Sequence, residues 1–326
     1  MRILFNSLTY FGDVVVSTGL LAHLVRTYPD ARFTIACGKA AAPLMTEVPR
    51  LERLIAISKR PLHLHWLDVM GAALPHRWEM VLDLKGSALP YLVMANRRLS
   101  FRPRHAQGGN RTTEWAHLLG LDDLPAPEVW TGARHDSAAA RLLGEGPPVI
   151  ALGPTASWAP KMWPSERFAE LCLRLTAADG ILPGARFAFL GTKDDAGKVP
   201  GLYEGLPAER VIDLFGRTDL LTAAAVLKCS ALFIGNDSGP LYLSVAAGIP
   251  GLGLLGPSPG LFGPPDPPYV APWAKKTAIA RTARSFEEIV AAPDYDHRTA
   301  GNLMGTLSVE TAEAAARELW RRCSAE

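Results

Sequence analysis

Short apolar runs alternate along the chain with longer segments whose apolar residues recur every three or four positions. The first of these segments predicts a helix that ends before Pro29; its periodic positions are Ser17, Leu20, Leu21, Leu24 and Tyr28. The apolar runs predict strands, which in the first half are Arg2–Ser7, Arg32–Cys37, Leu54–Ser58 and Met80–Leu84. Strands that alternate with helices predict a parallel sheet with helical crossovers.

The same alternation begins again in the second half. The predicted strands there are Val149–Gly153, Arg186–Gly191, Val211–Leu214, Ala231–Ile234 and Gly251–Leu255. An apolar stripe over 168–175 predicts one helix, and Ser308–Cys323 predicts a closing helix. We therefore predict an α/β protein with two Rossmann-like domains, which hold a ligand in the cleft between them.

The segment Asp122–Pro148 is rich in Pro, Gly, Asp and Ala, a composition that is typical of a linker. We place the domain boundary near Gly144–Pro148, so the expected domains are 1–147 and 148–326. A joint of this composition would allow the two domains to hinge.

Composition and charge narrow the class of protein. The chain has 326 residues, 48% of them hydrophobic and 20% charged, which is enough for two cores and unlike a disordered sequence. Residues 1–145 carry 17 Lys and Arg against 13 Asp and Glu, a net charge of +4, and residues 146–326 have a net charge of −2. A mildly basic first half suits an anionic substrate or a membrane surface, but it is too weak a signal for nucleic acid.

Neither a targeting segment nor a disulfide framework is predicted. The opening MRILFNS is a strand pattern and not a signal peptide. The longest apolar stretch, Leu241–Gly256, is too short and too interrupted by Gly and Pro to cross a bilayer. We therefore expect a cytoplasmic protein. Its four cysteines form no CxxC pair, so we predict buried free thiols at Cys37, Cys172, Cys229 and Cys323.

The first candidate for chemistry is Asp13, at the junction between the first strand and the first helix. Ligands of open α/β sheets bind at the carboxyl edge of the strands, where this junction lies. A carboxylate at a helix start stays ionised and is able to take a proton from a hydroxyl group. The alternative is that Asp13 only caps the helix.

Two further strand-to-helix junctions lie in the second half. The loop 153–164 contains Thr155, Ser157 and Lys161, and hydroxyl donors with a mobile cation suit a diphosphate. The segment 235–242 places Asp237 and Ser238 at another helix start, where backbone N–H groups suit phosphate and the carboxylate suits a sugar hydroxyl. The alternatives are an ordinary loop with a solvated lysine and a well-capped helix.

Two motif matches carry little weight. Gly251-x-Gly253-x-x-Gly256 matches the dinucleotide fingerprint in letters, but it lies along a predicted strand and does not lead into a helix. Asp294-Tyr-Asp296 matches a DxD metal motif but lies in an irregular stretch, which favours a surface loop.

Taken in order, these elements resemble glycosyltransferase family 9. Members of this family begin with a strand, a loop that ends in Gly-Asp and a helix that ends near Tyr-Pro-Asp, as residues 1–31 do. The later family elements correspond to Asp83–Gly86, Lys161–Phe168, Asn236–Gly239, Gly248–Pro250 and Leu255–Pro257. The resemblance therefore runs in order from Met1 to about Pro257.

The resemblance implies a GT-B fold with an acceptor-binding domain over 1–147 and a nucleotide-sugar-binding domain over 148–326. The last helix is expected to pack back on the first domain. The family chemistry is inverting and uses no metal and no cofactor. In its heptosyltransferases, ADP-heptose is the donor substrate and an acidic lipopolysaccharide core is the acceptor.

The resemblance also assigns roles to residues. Asp13 matches the general base, and Lys161 matches the lysine that binds the diphosphate. The expected nucleotide-sugar-binding residues are Gly12, Thr155, Ser157, Lys161, Asp237, Ser238, Gly239 and Tyr242. The chain departs from the family at Tyr242, where members commonly have His, and this departure bears on the choice of donor sugar and nucleotide.

Basic residues of the first half are candidates for the acceptor side. Those expected to hold carboxylates or phosphates of an acidic glycan or glycolipid are Lys59, Arg60, Lys85, Arg97 and Arg98. The alternative is a solvated basic face. We expect a protein that is either free in the cytoplasm or peripheral at the cytoplasmic face of the inner membrane, without a nucleic-acid partner.

Other function classes stay open at this point. A GT-B-like sugar-nucleotide epimerase or hydrolase would turn over the donor without an acceptor. A catalytically silent relative would bind the nucleotide and leave the sugar in place. An NAD-dependent oxidoreductase is disfavoured by the context of the Gly251–Gly256 motif.

Overall fold

The computed structural model describes residues 1–58, 61, 65–102, 111–256, 274–283 and 301–325. They form two compact units, Met1–Gly132 and Ala133–Glu326, and each unit is built on one parallel β-sheet with helical crossovers. The α/β class predicted from the sequence is therefore confirmed. Lys59 and Arg60 lie outside the described residues, as does the Asp294–Asp296 motif.

The sheet of the first unit has five strands in the order β3-β2-β1-β4-β5. β5 is an edge strand, and most of its residues are at least partly exposed. The strands are β1 (Arg2–Asn6), β2 (Arg32–Gly38), β3 (Leu51–Ile57), β4 (Arg77–Asp83) and β5 (Met94–Ser100). All described strand pairs of this sheet are parallel, so the carboxyl ends of the strands lie along one edge.

Four helices of the first unit lie within the described residues, namely α1 (Phe11–Thr27), α2 (His65–Ala73), α3 (Leu89–Leu92) and α4 (Arg111–His117). α1 ends at Thr27 because the following Tyr28 precedes proline and leaves the helical region, with φ −122° and ψ 78°. The end predicted from Pro29 is thus confirmed.

The sheet of the second unit has the order β11-β10-β9-β6-β7-β8. Its strands are β6 (Val149–Gly153), β7 (Arg186–Phe189), β8 (Val211–Asp213), β9 (Leu232–Asn236), β10 (Gly251–Leu255) and β11 (Thr277–Arg281). The sequence did not predict β11. This edge strand is short and only partly buried, so it shows neither a continuous apolar run nor a clear alternation.

The described helices of the second unit are α5 (Ala133–Leu143), α6 (Ser165–Leu175), α7 (Pro200–Gly205), α8 (Leu220–Lys228), α9 (Gly239–Ala247) and α10 (Val309–Ser324). α5 lies inside the stretch that we predicted to be a linker, so that prediction is wrong for this part. Its buried face consists of His135, Ala139 and Leu143, a weak apolar signal, and the helix packs against α8. The division between the units precedes α5, whereas the sequence placed the boundary near Gly144–Pro148.

The closing helix packs within its own unit. α10 contacts α6, β10 and β11, and its buried residues include Ala312, Ala316 and Leu319. Among the described residues, no helix is long and apolar enough to cross a membrane.

Two of the four cysteines depart from the predicted burial. Cys37 and Cys172 are buried, as predicted, but Cys229 is exposed and Cys323 is only partly buried. Cys229 follows the last residue of α8 as its C-cap, and this position turns the side chain outward.

Candidate functional site

In the second unit, two adjacent strands end at the same edge of the sheet and lead into loops that begin helices. β6 is followed by the loop 154–164 and then by α6, and β9 is followed by Asp237, Ser238 and then α9. Gly153 and Gly235 are paired at the ends of these two parallel strands. The sheet therefore brings together two segments that are about 80 residues apart in sequence, as expected for the carboxyl edge of a parallel sheet.

Asn236, the last residue of β9, ties the two segments together. It is fully buried. Its Nδ2 donates to the backbone oxygen of Pro154 at 2.6 Å, and its Oδ1 accepts from the backbone N–H of Trp163 at 3.0 Å. Pro154 opens the loop after β6 and Trp163 lies near its end, so one side chain fixes both ends of the loop.

Trp163 anchors the far end of this loop in the core. Its side chain is 1% exposed, its Nε1 donates to the backbone oxygen of Leu307 at 2.9 Å, and its ring packs edge-on against Phe168 at 5.2 Å between centroids. The tryptophan is therefore a packing residue that positions the neighbouring Lys161, the last residue of the short 3-10 turn 159–161.

Lys161, Asp237 and Tyr242 form one hydrogen-bonded group at this edge. Lys161 Nζ donates to Asp237 Oδ2 at 3.0 Å, and the Tyr242 hydroxyl donates to Asp237 Oδ1 at 3.0 Å. The carboxylate is 7% exposed and the lysine side chain 23% exposed. The structure thus brings together three of the residues that the sequence selected and leaves the ammonium group partly accessible to a ligand.

A row of glycines allows α9 to approach the sheet closely. Gly235 is paired with Gly153 on one side and with Gly253 on the other. A Cβ at Gly153 would lie 3.1 Å from the Cβ of Pro240, and one at Gly253 would lie 2.9 Å from Cδ2 of Leu241. A larger residue would therefore crowd the first turn of α9, and it would also meet Phe233 or Ile279 at 2.8 Å. Gly253 lies inside β10, as predicted, and not in a strand-to-helix turn.

The start of α9 has properties that suit an anion. Ser238 is its N-cap residue in an extended conformation, and Gly239 is the first helical residue. The Ser238 hydroxyl oxygen is buried and makes no hydrogen bond within the described structure. The positive end of a helix dipole with an unsatisfied hydroxyl is an arrangement that binds phosphate or sugar oxygens.

The two hydroxyl residues of the loop after β6 differ in exposure. Thr155 is buried, at 8% exposure, whereas Ser157 is exposed. Thr155 is the second residue after the strand, and Ser157 lies further along the loop. Both remain predicted contacts of the nucleotide-sugar.

Arg281 was missed by the sequence analysis. It ends β11, the strand that the sequence did not predict, and it is paired in register with Leu255 of β10. Burial lowers the pKa of Arg281, and the charge of Asp237 opposes that shift. The Arg281 guanidinium is therefore close enough to Asp237 for their charges to interact.

Asp195, in the short 3-10 helix after β7, serves local structure. Its carboxylate accepts from the backbone N–H of Thr192 at 2.8 Å, in a capping box, and from Lys198 Nζ at 2.7 Å. Burial raises the pKa of Asp195, but these hydrogen bonds outweigh burial and hold the pKa below its usual value. Asp194 is exposed beside it.

In the first unit, Asp13 lies in the first turn of α1, at the carboxyl end of β1. The N-cap is Tyr10, whose side chain makes no capping bond, so Asp13 is not the cap residue. Asp13 is partly exposed, and Gly12 precedes it in the same turn. This position places a carboxylate near the positive end of the α1 dipole.

The Asp83–Gly86 element is an anchored turn at the carboxyl end of β4. Asp83 is fully buried, and its carboxylate accepts from Asn6 Nδ2 at 2.7 Å and from the hydroxyl and backbone N–H of Ser87. Gly86 has a φ of 71°, which favours glycine. Asp83 therefore shapes the loop and holds Lys85 beside the strand end.

Lys85 is the only one of the five acceptor candidates that the structure places at the carboxyl edge of the described part of the first sheet. Its Nζ lies 5.7 Å from the centre of the Trp66 ring. Burial lowers the pKa of Lys85, and Asp83 and Cys37 oppose this shift. Burial also raises the pKa of the neighbouring Cys37 thiol to about 12, so this cysteine stays neutral.

Arg97 and Arg98 do not form one cluster, because adjacent strand residues point to opposite faces of the sheet. Arg97 donates to the Tyr28 hydroxyl at 3.0 Å. Arg98 donates to the backbone oxygen of Pro90 at 2.8 Å and so holds α3 against β5. Among the described residues, no group of three or more His, Cys, Asp or Glu side chains is arranged to hold a metal ion.

The model of glycosyltransferase family 9 (heptosyltransferase) matches residues 85–291. Lipopolysaccharide heptosyltransferase 3 of Escherichia coli is 22% identical over 292 residues, which are 78% of this chain and 83% of that protein.

Two solved structures are similar over nearly the whole chain. The family 9 glycosyltransferase of Veillonella parvula has a TM-score of 0.73 at 19% identity. The match covers 98% of this chain and 97% of the Veillonella chain. The E. coli heptosyltransferase WaaC, solved with ADP, has a TM-score of 0.68 at 18% identity. The match covers 98% of this chain and 100% of the WaaC chain. At these identities the likeness shows the fold, which is the predicted GT-B fold.

Proposed function

The chain belongs to glycosyltransferase family 9, and from this premise we propose that it transfers a heptose from ADP-heptose to a hydroxyl group of an acidic glycan such as lipopolysaccharide core. The family match establishes the enzyme as a glycosyltransferase. The heptose and the lipopolysaccharide acceptor are supported by the name of the E. coli relative, and the ADP moiety by the WaaC structure.

One observation carries the donor half of this proposal, namely the Lys161–Asp237–Tyr242 group beside the start of α9. When the bond between the anomeric carbon and the diphosphate oxygen breaks, negative charge builds on the leaving ADP. A partly buried ammonium group and a helix N-terminus stabilise such charge. Asp237 orients Lys161, and the Tyr242 hydroxyl fixes Asp237, so Tyr242 keeps a polar role at the position of the family histidine.

We assign the general base to Asp13. In this step, the acceptor hydroxyl oxygen attacks the anomeric carbon from the face opposite ADP, Asp13 takes the hydroxyl proton, and ADP leaves. The configuration of the anomeric carbon is thereby inverted. With Lys161 as the counter-charge of the diphosphate, the proposed reaction needs no metal ion.

Calorimetry with ADP, UDP and GDP tests the donor assignment directly. We expect ADP to bind more tightly than the other two, with the same affinity in EDTA and in Mg²⁺. A preference for UDP or GDP would keep the family and overturn ADP-heptose as the donor. Affinity that appears only with Mg²⁺ would contradict the assigned role of Lys161.

Lys161→Met tests the diphosphate contact. Loss of a charge-assisted hydrogen bond should weaken ADP binding by about 10- to 100-fold. Lys193→Met is the matched control, because Lys193 is exposed and lies in another short helix of the same unit. Equal effects of the two substitutions would argue against a specific contact.

Asp13→Asn tests the base, because it preserves shape and removes basicity. We expect the transfer rate to fall by about 10²–10⁴-fold, as is typical when a general base is lost, while calorimetric ADP binding is retained. Asp136→Asn, in the first turn of α5, is the control for loss of a first-turn carboxylate. Release of heptose without an acceptor would instead indicate a hydrolase, and conversion of the donor to a different sugar would indicate an epimerase.

On the acceptor side, we propose Lys85, Arg97 and Arg98 as candidates together with Lys59 and Arg60. Lys85 is the best placed of those described, because it lies at the carboxyl end of β4. Lys85→Met should raise the KM for a phosphorylated acceptor and leave ADP affinity unchanged. An unaltered KM would remove Lys85 from this assignment.

A further inference from the structure

Three large apolar side chains of the first unit are exposed next to one another. Tyr91 and Leu92 of α3 are each 58% exposed, and Met94, which begins β5, is 60% exposed. Single exposed apolar residues are normal on soluble proteins, whereas contiguous ones indicate a surface that contacts a partner or a membrane. Together with Arg98 and Arg102, we call this surface the α3–β5 patch.

The arginines of the α3–β5 patch are bonded to its apolar segment. Arg102 Nη2 donates to the Tyr91 hydroxyl at 2.8 Å, and Arg98 donates to the backbone oxygens of Pro90 and Val93. The guanidinium groups therefore border the apolar side chains instead of lying elsewhere on the unit.

The sequence around the patch is free of negative charge. Between Leu84 and Thr113 there are six Lys and Arg residues and no Asp or Glu. The patch consequently combines apolar insertion groups with a local excess of positive charge.

A cavity of mixed charge lies at the amino ends of β1, β2 and β4, next to Met94 of the patch. Arg77 is paired in register with Met94, and Asn96 shares a face with Met94 because it lies two residues further along β5. Arg77 and Asn96 line a cavity of about 410 Å³. Arg2 and Arg32 also line it, and Arg2 is paired with Glu52 at 2.8 Å. Glu79 lines the cavity too and accepts from Asn96 Nδ2 at 2.8 Å, so the cavity adds only a small excess of positive charge.

We propose that the α3–β5 patch docks this protein on an anionic lipid surface. Tyr and aliphatic side chains with arginines around them match the boundary between headgroups and acyl chains, since the apolar groups enter and the cations contact lipid phosphates. Each cation near an anionic membrane adds about 1 kcal/mol, which is roughly a fivefold gain in partitioning. Docking would keep the enzyme beside a glycolipid acceptor, so this proposal rests on the proposed function.

The binding test uses the full chain and sedimented vesicles, without donor or acceptor. We expect binding to vesicles of phosphatidylcholine with phosphatidylglycerol, little binding to phosphatidylcholine alone, and a decrease with added salt. Because neither substrate is present, vesicle binding can fail while glycosyl transfer succeeds, and vesicle binding can succeed while glycosyl transfer fails.

The double variant Leu92→Asp with Met94→Asp tests the location. It should lower partitioning into anionic vesicles by at least about tenfold, because it replaces two inserting side chains with charges that the lipid repels. Leu173→Asp is the matched control, since Leu173 of α6 is 40% exposed in the second unit. The milder pair Leu92→Ser with Met94→Ser gives the same test if the aspartate variant folds poorly.

Three results would overturn the proposal. One is equal binding of the unaltered protein to neutral and anionic vesicles. Another is undiminished vesicle binding by both double variants. The third is self-association: light scattering shows that the unaltered protein is a dimer and the double variants are monomers, and no vesicle binding is found. The patch would then be an interface with a second copy of the chain.

Discussion

Replacing Asn236 with Ala removes the side chain that fixes both ends of the loop after β6. The substitution deletes two hydrogen bonds, of 2.6 Å to Pro154 and 3.0 Å from Trp163, inside a fully buried environment. The partners are backbone groups that cannot turn toward water without moving the loop. An unsatisfied buried polar group costs about 1–3 kcal/mol, so two of them predict a loss of about 2–6 kcal/mol in the free energy of unfolding of the second unit.

Urea unfolding and hydrogen exchange measure this effect together. Urea denaturation gives the change in the free energy of unfolding. Exchange of the segment 154–164 reports whether the Trp163 N–H loses protection, as it should once Asn236 no longer accepts its hydrogen bond. ADP affinity should fall as well, because Lys161 lies on the loop that is released.

Asn302→Ala is the matched control. Asn302 also donates to this loop, from Nδ2 to the Met162 oxygen at 3.0 Å, but its side chain is exposed, so water can replace it. We expect a loss of at most about 1 kcal/mol for the control. Similar losses for both variants, or a loss below about 0.5 kcal/mol for Asn236→Ala, would refute the view that burial of these two bonds organises the site.

Three other measurements test separate parts of the structure. Tyr242→Phe removes one hydrogen bond to the Asp237 carboxylate and should lower the free energy of unfolding by about 1.5–3 kcal/mol, the range for bonds to charged groups. An unchanged urea midpoint would contradict that bond. A thiol reagent should label the exposed Cys229 in the native protein but not Cys37, because burial raises the pKa of the Cys37 thiol to about 12. Mass spectrometry of the labelled peptides checks this, and faster labelling of Cys37 than of Cys229 would contradict the burial of Cys37. The hydrogen bond from Arg317 is the main reason that the pKa of Glu313 lies below the usual 4.5, so the stability from this pair is present above pH 4.5 and lost as the pH falls through the lowered pKa. Urea midpoints should therefore decrease on acidification below pH 4.5, and by less in Arg317→Leu.

Much of the fold followed from local sequence signals. The strand Val149–Gly153 was predicted with the bounds that the structure has, because a short apolar run is followed by glycine and proline. The end of α1 followed from the restriction that Pro29 places on Tyr28. Elements without a strong pattern escaped prediction, as α5 and β11 show, since small or half-exposed residues give no clear period.

The chemical character of the candidate site was also visible in the sequence, because ligand sites of parallel sheets lie where strands lead into helices. That rule selected Asp13, Lys161 and Asp237 from their position alone. It did not reveal which side chains hold them. Lys161 and Asp237 are 76 residues apart, and their ion pair exists because β6 and β9 are neighbours in the sheet.

The sequence by itself determined the strand–helix order, the α/β class, and the strand-to-helix junctions that form the candidate site. Only the tertiary structure decided that Asn236 secures the loop of Lys161, that Arg281 joins the charges around Asp237, and that Arg97 and Arg98 face opposite ways. The physical reason is that periodicity and turn chemistry act over a few residues. Hydrogen bonds, burial and pKa shifts depend instead on neighbours that the sheet order brings together from distant parts of the chain.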